Sequence, residues 1–249
     1  MSLHWSKGPD KTKGTVLEAL AVIWAPMSTL ARVAEERRVL LGFGVVALYA
    51  AVGLVGSVLA VFFFFPQMLP GLGAAARLPP GFEDLLPFIE VFSLIYSVAY
   101  PFVSWLLVSG LMHLVTRFFG GTGPFSGMLA VVGVAQVPLV ISALIAIPIT
   151  VLQTVLLPEG MASGNPSTIA PATNAIGWLS SLLGLGFLIW HAALVVIGAA
   201  FARRVGYGES AGSCAISCGG CLGLILILGV VFGVLVGVLV EAGSSTGLS

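Results

Sequence analysis

Hydrophobic residues fall into five long runs along the chain, separated by short segments that carry the charges and most of the turn-forming residues. An α-helix needs about 20 apolar residues to cross the hydrocarbon core of a bilayer. None of the five runs has Asp, Glu, Lys or Arg in its interior, as membrane-spanning helices require. The pattern predicts an all-α integral membrane bundle of five transmembrane helices, at residues 39–65, 91–116, 127–157, 176–201 and 218–240.

A polar lead, residues 1–38, precedes the first run and contains an amphipathic stretch at residues 15–33. Pro26 interrupts this stretch and predicts two short helices or one kinked helix, with Ser28 able to cap the second piece. Trp24 and the flanking basic residues suit a helix that lies flat in the membrane interface. An ordinary packed helix is the alternative. The apolar stripe at helical spacing comprises Val16, Leu17, Leu20, Ile23, Trp24 and Met27.

Composition and charge add an orientation to this picture. Only 8% of residues are charged, 58% are hydrophobic and the mean hydropathy is +1.11, which excludes a water-soluble globule. Basic residues mark the cytoplasmic side of a membrane protein. With the N-terminus in the cytoplasm, every basic residue except Arg77 falls on that side, and the tail at residues 241–249 is external. The cytoplasmic set is Lys7, Lys11, Lys13, Arg32, Arg37, Arg38, Arg117, Arg203 and Arg204. Three Lys against seven Arg favours a bacterial inner membrane protein.

The third run contains Gln136, Pro138 and Pro148, and the fourth contains His191. A proline inside a span predicts a kinked or broken helix, and broken helices line substrate sites in transporters. Gln136 and His191 both lie about 15 Å from the cytoplasmic ends of their spans, at 1.5 Å of rise per residue. We therefore expect a hydrogen bond between them. Such a pair is either structural or part of a proton relay or ligand site.

The segment between the second and third runs predicts a tight hairpin. Arg117 lies at the cytoplasmic end of the second span, where a cation complements the helix C-terminal dipole. Gly120 and Gly121 can take positive φ and end that helix sharply. An anion site at this hairpin is the alternative interpretation.

Three cysteines and several small residues need separate interpretation. Cys214, Cys218 and Cys221 lie on one helical face, which makes them weak candidates for a metal site and otherwise small packing residues. Small residues four apart let helices approach closely. This spacing occurs in the fifth run and in the first, at Gly229, Gly233 and Gly237, and at Gly53 and Ser57.

The order of several short motifs resembles the Yip1-domain family, in its bacterial branch. These motifs are Trp24-Ala25-Pro26, the stretch from His113 to Gly121, Ala135-Gln136-Val137-Pro138 and Ile189-Trp190-His191. The resemblance implies five transmembrane helices and a cytoplasmic N-terminus. Eukaryotic relatives act in vesicle trafficking and bind prenylated Rab GTPases, a partner that a bacterium lacks.

No P-loop, G-x-S-x-G or H-E-x-x-H motif occurs, and no pair of carboxylates lies within the spans. We therefore expect a non-catalytic protein without a cofactor or a nucleic-acid partner. It would organise or bind membrane proteins or lipids, with self-association a further expectation. The alternative is a small-solute transporter or channel that uses the kinked third span and His191. A metal-dependent membrane enzyme using the three cysteines and His113 ranks last.

Overall fold

A computed structural model describes residues 15–64, 82–162, 170–217 and 219, and within these residues it contains helices and no strand. A 3-10 turn, Ala21–Ile23, follows the first helix, and a π-helical turn, Ala60–Phe64, continues the third. The helices are α1 (Thr15–Leu20), α2 (Pro26–Glu36), α3 (Val39–Leu59), α4 (Phe82–Phe118), α5 (Phe125–Val134), α6 (Val137–Ala162), α7 (Ala170–Arg203) and α8 (207–217).

Four segments of the described chain are helices long and apolar enough to cross a membrane. They are Val39–Phe63, Pro87–Phe118, Phe125–Leu152 and Ala175–Arg203, and they confirm the first four predicted spans. The third of them comprises α5 and α6 together. The fifth predicted span, residues 218–240, lies outside the described residues apart from residue 219, so a count of five remains a prediction.

The helices run farther than the apolar runs that predicted them. Helix α4 begins at Phe82, before the start of the second predicted span at residues 91–116. Helix α6 continues to Ala162, beyond the predicted end of the third span at residue 157, and α7 begins at Ala170, before the predicted start of the fourth span at residue 176. The reason is that a helix satisfies its own backbone hydrogen bonds and need not end where hydropathy falls.

The polar lead forms two short helices, as Pro26 predicted. The helical conformation is interrupted at Trp24 and Ala25. Pro26 takes the first position of α2, where the missing N–H costs no helical hydrogen bond. The capping role predicted for Ser28 is wrong: Ala25 is the N-cap residue, and the Ser28 hydroxyl donates instead to the Ala25 carbonyl at 3.3 Å. With proline at the first position, the cap falls one residue before it.

Helix α2 packs into the bundle along one side. Leu30 and Val33 are fully buried against α5 and α7, whereas Trp24 and Met27 point outward and are exposed. Of the predicted stripe, Leu20 and Ile23 pack against the core, whereas Trp24 and Met27 face outward. An ionic cluster holds α1 to this arrangement, since the Glu18 carboxylate bridges Arg32 and Arg38, and Arg38 also pairs with Glu36.

Helix α5 lies at the centre of the bundle, in contact with α2, α3, α4 and α7. Seven of its ten residues are buried. A Cβ added to Gly133 would come within 2.5 Å of the Cα of Gly42, so α5 and α3 cross with their backbones touching. The predicted packing residue Gly53 makes a looser approach, with its Cβ position 3.5 Å from the Ser97 carbonyl of α4. The closest approach of α3 to another helix is therefore at Gly42, and not at the predicted Gly53.

Antiparallel helices place four chain positions at one end of the bundle: the start of α3, the end of α4, the start of α5 and the end of α7. We name this end, defined by Val39, Phe118, Phe125 and Arg203, the basic end. The described arginines all lie in or beside it.

Candidate functional site

The third span is broken in its middle. Helix α5 ends at Val134, Ala135 and Gln136 form a turn, and α6 begins at Val137. Pro138 has no N–H to offer the carbonyl four residues before it, that of Val134. The break therefore follows from the proline that the sequence places there, and the chain must satisfy the freed carbonyls in some other way.

The backbone N–H groups that follow the break do not donate to the Ala135 carbonyl. The N–H groups of Leu139 and Val140 both donate to the Gln136 carbonyl, at 2.9 and 3.1 Å. In an unbroken helix the Leu139 N–H would reach the Ala135 carbonyl instead. The Ala135 carbonyl is thus an acceptor left over at the centre of the bundle, where an unmade hydrogen bond is expensive.

His191 supplies the missing donor. Its Nδ1 lies 2.8 Å from the Ala135 carbonyl oxygen, and since a carbonyl only accepts, Nδ1 carries the proton and donates. The expected hydrogen bond between His191 and the Gln136 side chain is not formed. His191 lies at the predicted depth, and its partner is the residue before Gln136. That partner is the backbone carbonyl of Ala135, because Pro138 and the turn leave this carbonyl without a backbone donor.

Gln136 lies at the same break and is buried. Its Oε1 is buried and has no hydrogen-bond partner in the described part of the chain. A buried amide oxygen without a donor accepts a hydrogen bond readily from water or from a polar solute. The break thus combines one satisfied carbonyl with one open acceptor.

A second constellation, at the basic end, is one that sequence reasoning missed. In the sequence, Arg203 is only one of the basic residues that mark the cytoplasmic side. In the structure its side chain is buried, with 3% of the residue exposed. Its Nε donates to the Thr116 hydroxyl at 3.1 Å, and Nη2 donates to the Gly121 carbonyl at 2.6 Å. Thr116 in turn donates to the Met112 carbonyl at 2.6 Å, which orients a lone pair toward Arg203. No periodicity or motif marks this arrangement, since it joins residues 87 positions apart.

The hairpin after α4 is as tight as predicted and docks on the same arginine. Gly120 has φ +82°, the left-handed conformation that ends the helix, while Gly121 is needed for a different reason. A Cβ on Gly121 would lie 3.2 Å from the Arg203 Nε. The Thr122 N–H donates to the Arg203 carbonyl at 3.0 Å, and a Cβ on Gly123 would collide with the Ala202 carbonyl. Arg117 is exposed at the rim of this hairpin, as expected.

His113 and Cys214 do not form a metal site with other described residues. The His113 ring packs edge-to-face on Phe125, with centroids 5.3 Å apart, and its buried Nδ1 has no partner there. Cys214 is buried on α8 beside Ser210 and Ser213. No group of three His, Cys, Asp or Glu side chains within the described ranges could hold a metal ion. Cys218 and Cys221 lie outside those ranges, so a role for the three cysteines stays a prediction.

The packing glycines predicted in the fifth span, Gly229, Gly233 and Gly237, also lie outside the described residues. Of the other predicted positions, Trp24 and Arg117 are exposed, while Pro26, Gly120, Gly121, Gln136, Pro138 and His191 each lie at a chain break, a turn or an interhelical hydrogen bond. The structure brings Gln136, Pro138 and His191 together at the break in the third span. It brings Arg117, Gly120 and Gly121 together at the basic end.

The described residues form a helical bundle with four apolar helices of membrane length, tied together by polar side chains, and this arrangement defines an integral membrane protein. Residues 20–231 match the Yip1 domain, which covers most of the chain. The chain belongs to the Yip1 domain family. The resemblance seen in the short motifs is thereby confirmed.

A comparison with curated proteins finds an uncharacterized protein of Methanocaldococcus jannaschii that is 37% identical over 71 residues. The match covers 28% of this chain and 50% of that relative, so the chain spans about half of the relative's length. This relative is archaeal, and a bacterial origin for the present chain stays a prediction. No solved structure matches this chain.

Proposed function

We propose that the protein is a non-catalytic membrane organiser that binds other membrane proteins or lipids and associates with its own copies. Its place is the inner membrane of a bacterium, with the N-terminus and the basic end in the cytoplasm. The proposal goes beyond family membership, and it rests on how the described helices use their polar groups and their surfaces.

The observation that carries the proposal is the filled interior around the third span. Met128, Val131, Val132 and Val134 are each fully buried. His191, near the middle of the fourth span, donates its Nδ1 proton to the Ala135 carbonyl at the break. A packed centre with a satisfied histidine is what a scaffold needs, whereas a solute path needs open polar groups.

The outer surface supports the same proposal. Helix α4 is the least buried of the described spans, and its outer face carries three aromatic rings in a row. Phe92 and Tyr96 stack with centroids 6.2 Å apart, and Tyr96 and Tyr100 with centroids 5.2 Å apart. Aromatic side chains that already pack on each other lose little entropy when a partner helix covers them. This aromatic row is where we expect a partner protein to contact the chain.

Native mass spectrometry of the full chain in lipid nanodiscs tests the proposal. We expect a discrete oligomer or a recurrent co-purifying membrane protein. Replacing Phe92 and Tyr96 by Leu should reduce the associated fraction, because Leu keeps the surface apolar and removes the rings. Leu182→Ala, on the exposed face of α7, is the matched control and should leave association unchanged. A monomer without any partner at all protein concentrations contradicts the proposal.

A transporter or channel for a small solute is the second candidate, favoured by one observation: the buried Oε1 of Gln136 beside a broken helix has no partner among the described groups. Proteoliposome flux assays with wild type, Gln136→Leu and His191→Phe separate the two functions. Flux that wild type supports and Gln136→Leu abolishes establishes transport. Equal background flux in all three samples leaves the organiser.

A further inference from the structure

The guanidinium of Arg203 is buried with only neutral acceptors. Thr116 offers a hydroxyl and Gly121 a carbonyl, and no carboxylate pairs with Arg203 in the described residues. Arginine keeps its charge in proteins, and a buried charge is costly unless an opposite charge compensates it. Nη1 also has no acceptor among these residues. The structure thus leaves a full positive charge and an open donor edge at the basic end.

Two further arginines flank this group in the chain. Arg117, in the last turn of α4, is exposed and directly follows Thr116, whose hydroxyl accepts from the Arg203 Nε. Arg204 directly follows Arg203, exposed and in the left-handed conformation at φ 56°. Neither forms an ion pair with any described carboxylate; Glu209, the nearest acidic residue in sequence, folds against Gly206 instead. Three arginines without a counter-charge create a local field that attracts an anion.

The site is rigid before any ligand arrives. Gly121 and Gly123 bring the hairpin into backbone contact with the end of α7, and the Thr122 N–H ties it to the Arg203 carbonyl. The guanidinium is therefore held in one orientation by two hydrogen bonds. A planar fork fixed in this way binds the oxygens of a phosphate with little loss of entropy.

The surroundings indicate a lipid as the source of the phosphate. The three arginines lie where two membrane-length helices end and a third begins, and in a bilayer that these helices span, such an end meets the headgroups. Exposed aromatic rings surround them, as in the aromatic belts that sit at membrane interfaces. These rings belong to Phe118, Phe119, Phe125 and Tyr207. A free inorganic anion has no apolar surface to pack on such rings, whereas a phospholipid has its glycerol and acyl chains.

We propose that Arg203, Arg117 and Arg204 form a binding site for the phosphate of an anionic phospholipid headgroup. The inference rests on the proposed function and names the lipid class that the organiser binds. Arg203 supplies the fixed donor fork, and the two exposed arginines supply charge from the rim.

Lipid retention by the full chain tests the site. The protein is reconstituted in nanodiscs of phosphatidylcholine and phosphatidylglycerol in equal amounts, and native mass spectrometry counts the lipids that remain bound. Wild type should retain phosphatidylglycerol selectively. Arg117→Gln should lower the affinity for it about fivefold, since one basic residue near an anionic surface contributes that much. Arg203→Lys should lower it further, because lysine keeps the charge and loses the fork.

Arg37→Gln is the matched control. Arg37 is an exposed arginine outside this site, without a described ion pair, and it shares the left-handed conformation of Arg204. It should bind phosphatidylglycerol as wild type does. Equal losses in Arg37→Gln and Arg117→Gln mean a general charge effect and overturn the site. So does unchanged selectivity in Arg117→Gln, whose exposed side chain makes no hydrogen bond that folding needs.

Two further outcomes separate neighbouring explanations. If an excess of inorganic phosphate displaces the retained lipid completely, the ligand is a free anion and the lipid assignment is wrong. The same spectra report the stoichiometry of the protein. A discrete oligomer without selective lipid rejects the lipid site and leaves the organiser, while a monomer that retains phosphatidylglycerol rejects self-association and supports the site.

Discussion

At the scale of single residues, the bundle depends on glycine positions where the neighbouring backbone leaves no room for a Cβ atom. Gly133 and Gly42 let α5 and α3 cross in backbone contact, and Gly123 lets the hairpin meet the end of α7. Membrane helices gain no hydrophobic energy from leaving lipid, so close van der Waals packing must hold them together. Glycines at such crossings therefore contribute strongly to the stability of the bundle, whereas glycines that face outward contribute little.

Gly133→Ala should destabilise the protein by about 1–3 kcal/mol, the usual cost of overpacking, since its Cβ meets the Gly42 backbone and neither helix can yield locally. Gly44→Ala, on α3 with open space at its Cβ position, is the control and should cost nothing. Thermal unfolding of both variants in the same detergent measures the difference. Equal midpoints for the two variants would show that the α3–α5 crossing is not tight.

At the scale of elements, the informative feature is what happens to the backbone carbonyls that lose their helical N–H donor near a proline. Pro138 and the turn before it free the Ala135 carbonyl, which His191 of α7 then occupies. Pro101 in α4 likewise withholds a donor from the Ser97 carbonyl, and that carbonyl faces Gly53 of α3. At these two prolines, a freed backbone carbonyl is a point where one helix contacts another.

His191→Phe should lower the free energy of unfolding by about 1–2 kcal/mol, because the Ala135 carbonyl keeps its place and loses its donor. Ile189→Phe, two residues earlier on the exposed face of α7, introduces the same ring without losing a hydrogen bond. It should stay within about 0.5 kcal/mol of wild type. Unfolding titrations in mixed micelles compare the two; identical curves would mean that the break is held by something other than His191.

At the scale of the whole molecule, the spans differ in how much protein covers them. More than half of the third span is buried, at 56%, against 11% for the second. The third span is therefore the axis of the bundle, and the second offers the largest free face to lipid or to a partner. Four described spans leave the side of the C-terminus to be decided by the fifth apolar run, residues 218–240.

A fusion at the C-terminus decides the number of spans. With five spans and the basic end in the cytoplasm, alkaline phosphatase fused after residue 249 lies outside and should be active in a bacterial host. The enzyme fused after Gly121, in the hairpin at the basic end, should be inactive. Activity at both positions would contradict the orientation, and inactivity at both would mean that residues 218–240 do not cross.

The sequence by itself determined the class of fold and the first four spans, because a bilayer accepts only helices of about 20 apolar residues. A proline withholds a donor, so the sequence also predicted a kink or a break in the third span, but only the structure shows that the helix breaks before Pro138 and continues through Pro148. The sequence also indicated the depth of His191. Hydropathy cannot tell a face that meets lipid from a face that meets protein, since lipid tails are as apolar as leucine. Only the tertiary structure could therefore decide that Gly42 meets Gly133 and that His191 bonds a carbonyl and not Gln136. It also shows that Arg203 is buried without a counter-charge from the described residues. These pairings join residues far apart in the chain, and they are set by packing.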